Sequence, residues 1–416
     1  MVLTDPYTGR TARCGMAHPH IHDGEIRIVG HRWSPEAHEL KAFLARSRVG
    51  YRWLDVERDR EAGNYLGETR GRRDTLPLVI LPDGTRLTRP AVRDLAERIG
   101  LDTEPDQPFY DLLIVGGGPA GLSAAVYAAS EGIQTIVVEQ EVPGGQAGYS
   151  ARIENYPGFP EGLSGRDFAH RTVAQAERFG VEILSTRHVE SLSAKGRYRE
   201  IRLDDGTTVA AHAILLATGV AFRWLEAPGC PDLVGRGVYY GAATAEASDC
   251  RDQKLYVLGG GNSAGQAALL LAEYAGRVTI VAPEPSLDDT MSQYLLERIA
   301  ELPNVETCPG HTIVGAEGGK HLERLELKRV ADGELRKVEA DGLFVFIGAE
   351  PRTQWLDGVV DRDEHGFIVA NERMETSVSG VFVAGDVRAG SVKRIASAVG
   401  EGAMAVQFIH GYLADR

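Results

Sequence analysis

The chain has 416 residues, enough for two or three domains and a large buried core. Its net charge of −14 weighs against nucleic acid or an anionic membrane as a partner. Its four cysteines, Cys14, Cys230, Cys250 and Cys308, are scattered with no two of them two residues apart, so no disulfide framework is legible and a reducing, cytoplasmic setting is expected. No run has the make-up of a signal core or the length of a membrane span.

Residues 1–23 mix Thr, Gly, Pro and His without periodicity and read as a tail. Cys14 with His18, His20 and His22 could be drawn as half a zinc set, but no second half follows, so no metal is expected. From Glu25 a pattern begins. "EIRIVG" predicts a strand, residues 35–50 a helix opened by Pro35 and closed by Gly50, and "YRWLDVE" a second strand. "TLPLVILPDGTRLTR" predicts two strands around an Asp83-Gly84 turn, and residues 90–100 a helix. This order over residues 24–103 resembles a glutaredoxin or thioredoxin-like domain. The resemblance places Thr75-Leu76-Pro77 where that family keeps a cis-proline, and Ser34 and Ala37 where it keeps its cysteines. A serine hydroxyl does not replace a thiolate, and alanine cannot resolve a mixed disulfide. The unit is therefore expected to be redox-inactive, with a docking or dimer-stabilising role, or a relic groove for a thiol peptide, as its uses.

After a short acidic, proline-containing linker the glycines gather; the chain holds 49 of them. Residues 111–115 predict a buried strand running into Gly116, Gly118 and Gly121. That is a G-x-G-x-x-G turn: Gly116 for the tight turn, Gly118 for close approach of a pyrophosphate, Gly121 for helix–strand packing. The helix opened by Pro119 and Ala120 then offers free N–H groups to phosphate. A second strand, residues 135–138, ends at Glu139, in the slot where an acid bonds a ribose diol. Strand, glycines, helix, strand and acid in register predict a dinucleotide site.

Three more stretches, "GGQAGYSARIENYPGF" (144–159), "LLATG" (215–219) and "GVFVAGDV" (380–387), together resemble the flavoprotein disulfide reductases, and most closely the low-molecular-weight thioredoxin reductase family, over residues 108–416. The resemblance implies an α/β fold with two nested Rossmann-like domains, FAD as cofactor and a homodimer. It puts Gln140, Gly145, Gln146, Asn155 and Val189 near FAD, Ala217, Thr218 and Gly219 at the crossover, and Gly385 and Asp386 at the ribityl chain. Lys393, Arg394 and Ile395 match the segment at the flavin's O2 edge, altered from the usual Arg-Gln-Ala; Lys393 could supply a cation there.

"KLYVLGGGNSAGQAALLLAEYAGRVTIVAPEP" repeats the unit, with Gly259, Gly261 and Ala264 as G-x-G-x-x-A and Asn262 and Ser263 opening the helix. Two nested cradles are what electron transfer from a nicotinamide to a flavin requires. The implied order is an FAD domain at 108–222 and 347–416 with a nicotinamide domain at 223–346, and Gly348 on the return. NADPH-using members carry a His-Arg-Arg cluster past this second strand; here Ala282, Pro283 and Glu284 stand there. A glutamate repels a 2′-phosphate and accepts hydrogen bonds from a free diol, so NADH is expected over NADPH.

The family's Cys-Ala-Thr-Cys is missing as well. Neither Gly241–Thr244 nor residues 242–245 contain sulfur; Cys250 lies beyond, and Cys230 reads as a loop residue. The chain is thus expected to be an FAD-dependent oxidoreductase whose flavin meets its acceptor directly, be it a quinone, dioxygen, a small disulfide or a protein carrier. Two other readings stay open: a ferredoxin- or flavodoxin-linked flavoenzyme that leaves the nicotinamide site empty, and a non-enzymatic flavin-binding sensor or scaffold. The thioredoxin-reductase-like ferredoxin–NADP reductases also lack these cysteines but extend past the final helix with an aromatic that shields the flavin, so that assignment is expected less.

Overall fold

The computed structural model describes residues 2–4, 11–13, 25–66, 75–150, 152–241 and 247–415. Strands Val2–Thr4 and Thr11–Arg13 pair antiparallel. The candidate zinc ligands Cys14, His18, His20 and His22 lie outside the described residues, among which no cluster of three or more metal-ligating side chains occurs.

The N-terminal unit is a four-stranded mixed sheet in the order Tyr51–Asp55, Ile26–Gly30, Leu78–Ile80, Arg86–Thr88, with the first pair parallel and the others antiparallel. Its helices Pro35–Arg46 and Val92–Arg98 bury Leu40, Phe43, Leu44, Leu95 and Ala96 against Ile26, Ile28 and Val79. Ser34 caps the first helix: its Oγ accepts from Ala37 N at 3.2 Å, and Pro35 fills the first turn where no donor is needed. That helix ends at Arg46 rather than at Gly50, because Arg48 already takes a left-handed φ of 56°. The Leu76–Pro77 peptide is cis.

A seven-stranded sheet follows. Phe109–Val115 sits between Thr208–Leu216 and Thr135–Val138, parallel to both. Its β-branched and leucine-rich strands are buried on both faces, as parallel strands covered by helices must be. The helix Pro119–Ser130 packs between this sheet and the long helix Ile395–Ala414. Contact there is backbone-close: a Cβ on Gly402 would stand 2.1 Å from Ala120 O.

The second dinucleotide-type unit is a five-stranded parallel sheet in the order Val238–Tyr240, Gly342–Val345, Lys254–Leu258, Arg277–Ala282, Val305–Pro309. A three-stranded antiparallel sheet, His311–Glu317, Arg324–Arg329 and Leu335–Glu339, covers it, an element the sequence reading does not anticipate. The chain enters and leaves this unit through one small antiparallel ribbon, Val220–Phe222 with Ala349–Pro351. Among the described residues no helix is long and apolar enough to cross a membrane.

Candidate functional site

At the first glycine turn Gly116 takes φ +106°, open to glycine alone, and its N–H donates to Val138 O at 2.8 Å. A Cβ on Gly121 would lie 1.9 Å from Gly116 O, so Gly121 is a packing residue behind the wall. Gly118 differs. A Cβ there would meet only Gly145 Cα at 3.8 Å, so the space before the helix N-terminus is open. Glu139 is buried, with Oε2 accepting from Gly117 N at 2.7 Å and Oε1 from Glu141 N at 2.8 Å. Burial pushes its carboxyl above the usual range, and the two amides pull against that shift. Each oxygen keeps a lone pair for a ribose hydroxyl.

The second turn repeats this arrangement. Gly259 takes φ +141°, its N–H donates to Val281 O at 2.8 Å, and Gly261 has open space where its Cβ would be. Ala264 is buried in the third position. Glu284 stands two residues past its strand, yet its Oε2 comes within 2.7 Å of a Cβ on Gly260, as the Glu139 side chain comes within 3.2 Å of one on Gly117. This Oε2 is buried and has no hydrogen-bond partner. The Thr218 Oγ1, in the first unit, is also buried and unpartnered. Two orphaned oxygens and two glycines facing open space fit two dinucleotides whose hydroxyls and phosphates complete them.

One cavity of ≈ 300 Å³ joins the two units. From the first unit Gly116, Gly118, Pro119, Ala120, Glu139, Gly145, Gln146 and Asn155 line it. Ala217, Thr218, Gly219, Asp386, Lys393, Arg394 and Ile395 line it from the crossover and return, and Asn262 and Ser263 from the second helix N-terminus. Gln146 Nε2 donates to Val220 O at 2.8 Å, tying the glycine loop to the ribbon. Burial pushes the Asp386 carboxyl up, with Lys393 pulling against it. Lys393 does not point freely into the cleft: its ammonium donates to Asp386 O at 2.7 Å and Ser391 Oγ at 3.0 Å, 4.1 Å over the Phe367 ring. The N-terminus of the helix Ile395–Ala414, whose first N–H groups have no helical partner, also stands at this lining through Arg394 and Ile395.

Several expected residues stand outside this lining. Gln140 is exposed, and Val189 is buried in the core behind the sheet. Gly385 packs against Ala120 and donates its N–H to Glu401 Oε2 at 2.8 Å, while Gly259, Gly261, Ala264, Glu284 and Gly348 are not among the lining residues either. Conversely, Arg46, Glu141, Phe222, Phe346 and Arg352 line the cavity without any local motif to announce them, and Tyr149, inside the 144–159 stretch but not singled out there, lines it too. Phe222 and Phe346 meet edge-on at 6.2 Å where the units face each other. Gly241 lines the cleft beside Phe222, but residues 242–246, where the family dithiol would stand, lie outside the described residues. Cys230 is buried, which pushes its thiol up to about 11, and Cys250 is buried in the core of the second unit.

Comparison with known proteins places this geometry. The family described as "Pyridine nucleotide-disulphide oxidoreductase" matches residues 110–402. A thioredoxin reductase of Listeria innocua is 34% identical over 311 residues, 74% of this chain and 96% of that protein. A bifunctional thioredoxin reductase/thioredoxin of Mycobacterium leprae is 35% identical over 318 residues, 76% of this chain and 69% of that protein. The crystal structure of Lactococcus lactis thioredoxin reductase in its FR conformation superposes with a TM-score of 0.70 at 31% identity, covering 74% of this chain and all of that one. The family uses FAD and NAD(P)H. The chain belongs to the pyridine nucleotide-disulphide oxidoreductase family and is thioredoxin-reductase-like.

Proposed function

We propose that the protein is an FAD-dependent oxidoreductase that takes electrons from NADH in preference to NADPH and passes them from the flavin straight to a small-molecule or protein acceptor. The observation that carries this reading is the single cavity lined at once by the flavin-side residues Gly118, Gln146 and Asp386 and by Asn262 and Ser263 of the second turn. When bound, FAD would accept a hydride from the nicotinamide and hand two electrons to the acceptor. The chain's own part is positioning. The two glycine turns and their helix N-termini cradle the pyrophosphates, and Glu139 and Glu284 hold ribose diols. Asp386 orients the ribityl chain, and the N-terminus of the helix Ile395–Ala414 stabilises negative charge at the ring edge. The four cysteines at 14, 230, 250 and 308 offer no C-x-x-C relay, which supports transfer without a dithiol.

On this reading residues 108–222 and 347–416 are the FAD domain, 223–346 the nicotinamide domain, and 24–103 a redox-inactive thioredoxin-like domain. The packing of the last supports an internal docking role. Trp33 stacks on His321 at 4.7 Å, and a Cβ on Gly235 would stand 2.9 Å from Pro35 Cα, so the face around Ser34 lies against the second unit. We propose a cytoplasmic homodimer, which light scattering checks. Nothing favours the ferredoxin-linked or sensor readings. The deciding experiment is anaerobic titration of the purified protein with NADH and with NADPH, followed by a panel of acceptors. NADH should bleach the flavin at lower concentration. Bleaching by neither nucleotide would defeat the proposal.

A further inference from the structure

The family match begins at residue 110, yet a side chain from the N-terminal unit reaches the cleft. Arg46 is the last residue of the helix Pro35–Arg46, and its side chain is only 10% exposed. Its guanidinium pairs with Glu141, donates to Tyr149 Oη at 2.7 Å and Val142 O at 3.0 Å, and lies 4.3 Å from the centre of the Tyr149 ring. Arg352, on the return from the second unit, approaches the other Glu141 oxygen at 3.3 Å. Val142 itself is buried in the core of the N-terminal unit, so the loop after Glu139 is held by that unit. The cluster sits two residues past the acid proposed to hold the ribose of FAD.

Two features make this more than an interface. A guanidinium carries five N–H donors, and the hydrogen bonds described for Arg46 use three. Two guanidinium groups, Arg46 and Arg352, also converge on the Glu141 carboxylate and line the cavity beside a turn that otherwise offers phosphate only backbone N–H groups.

We propose that the N-terminal unit forms a wall of the flavin site, with Arg46 binding the ribose–diphosphate half of FAD and slowing its release. This rests on the FAD reading of the cleft. The test is reconstitution of full-length apoprotein with FAD, with affinity read from quenching of flavin fluorescence. Arg46→Ala is expected to raise the Kd at least tenfold, and Arg46→Lys, which keeps the charge and the packed stem but not the fork, by a smaller factor of at least threefold. Arg93→Ala is the control: it cuts the ion pairs of the N-terminal unit with Asp204 and Asp205, away from the cleft, and should leave the Kd within twofold. Should Arg46→Ala fail to fold, the lysine variant carries the test. Equal Kd values for wild type and the Arg46 variants would overturn the inference alone, as would an Arg93→Ala loss equal to that of Arg46→Ala, which would assign the effect to docking. A wild-type apoprotein that takes up no FAD would overturn the functional reading as well.

Discussion

Replacing Glu284 by alanine should abolish the proposed preference for NADH over NADPH. The Glu284 Oε2 is buried without a partner and faces the middle glycine of the second turn, so a ribose hydroxyl is the donor it lacks. A hydrogen bond to a charged group is worth about 1.5–3 kcal/mol. Its loss should weaken NADH binding roughly 10- to 150-fold, each factor of ten being about 1.4 kcal/mol. NADPH should behave in the opposite way, because its 2′-phosphate meets a carboxylate in the wild type and none in the variant. Ala282 and Pro283 beside Glu284 carry no charge, and Arg277 at the far end of the strand pairs with Glu306 at 3.6 Å. The assay is anaerobic stopped-flow, following flavin absorbance over a nucleotide series to obtain a Kd for each nucleotide. Unchanged NADH affinity in Glu284→Ala, or tighter NADPH than NADH in the wild type, would refute the argument.

Gly118→Leu should leave the fold intact and abolish flavin retention, since its Cβ finds only open space, whereas Gly121→Ala should damage folding through the 1.9 Å clash with Gly116 O; flavin absorbance per mole and circular dichroism separate the two outcomes. Ser34→Ala should destabilise the protein by about 0.5–2 kcal/mol through loss of a helix cap, read as a lower denaturation midpoint, and should change no thiol chemistry. The pH dependence should show Asp205: burial pushes its carboxyl up, but the Thr207 amide and hydroxyl and the Arg187 guanidinium outweigh that and hold it well below the usual range. A depressed folded-state pKa gives stability that is present above the unfolded value near 3.8 and lost as pH falls through the folded one. The stability gap between wild type and Asp205→Asn should therefore be full at pH 6 and shrink below pH 4, and a gap that widens in acid would contradict it.

What could be read in the sequence was what is local. Each strand–glycine–helix–strand–acid unit spans about 30 residues, so the spacing of Gly116, Gly118, Gly121 and Glu139 carries its own geometry. The order of strands and helices in residues 25–100 was legible for the same reason, through alternation and turn residues, apart from the short helix Ala62–Leu66. Arg46 and Arg352 were not, because they meet at Glu141 only after segments 95 and 211 positions away have packed on it. No periodicity encodes such a meeting. The first helix ends four residues before Gly50, the conventional stop, because Arg48 adopts the left-handed turn itself.

The ribbon of Val220–Phe222 with Ala349–Pro351 is a narrow joint, two short strands carrying an entire domain-sized insert. The N-terminal unit grips both sides of it, through Arg46 on one and through Trp33 and Pro35 on the other. It thereby braces a junction whose own main-chain pairing is three residues on each strand, adding side-chain packing on both sides that the ribbon itself does not supply.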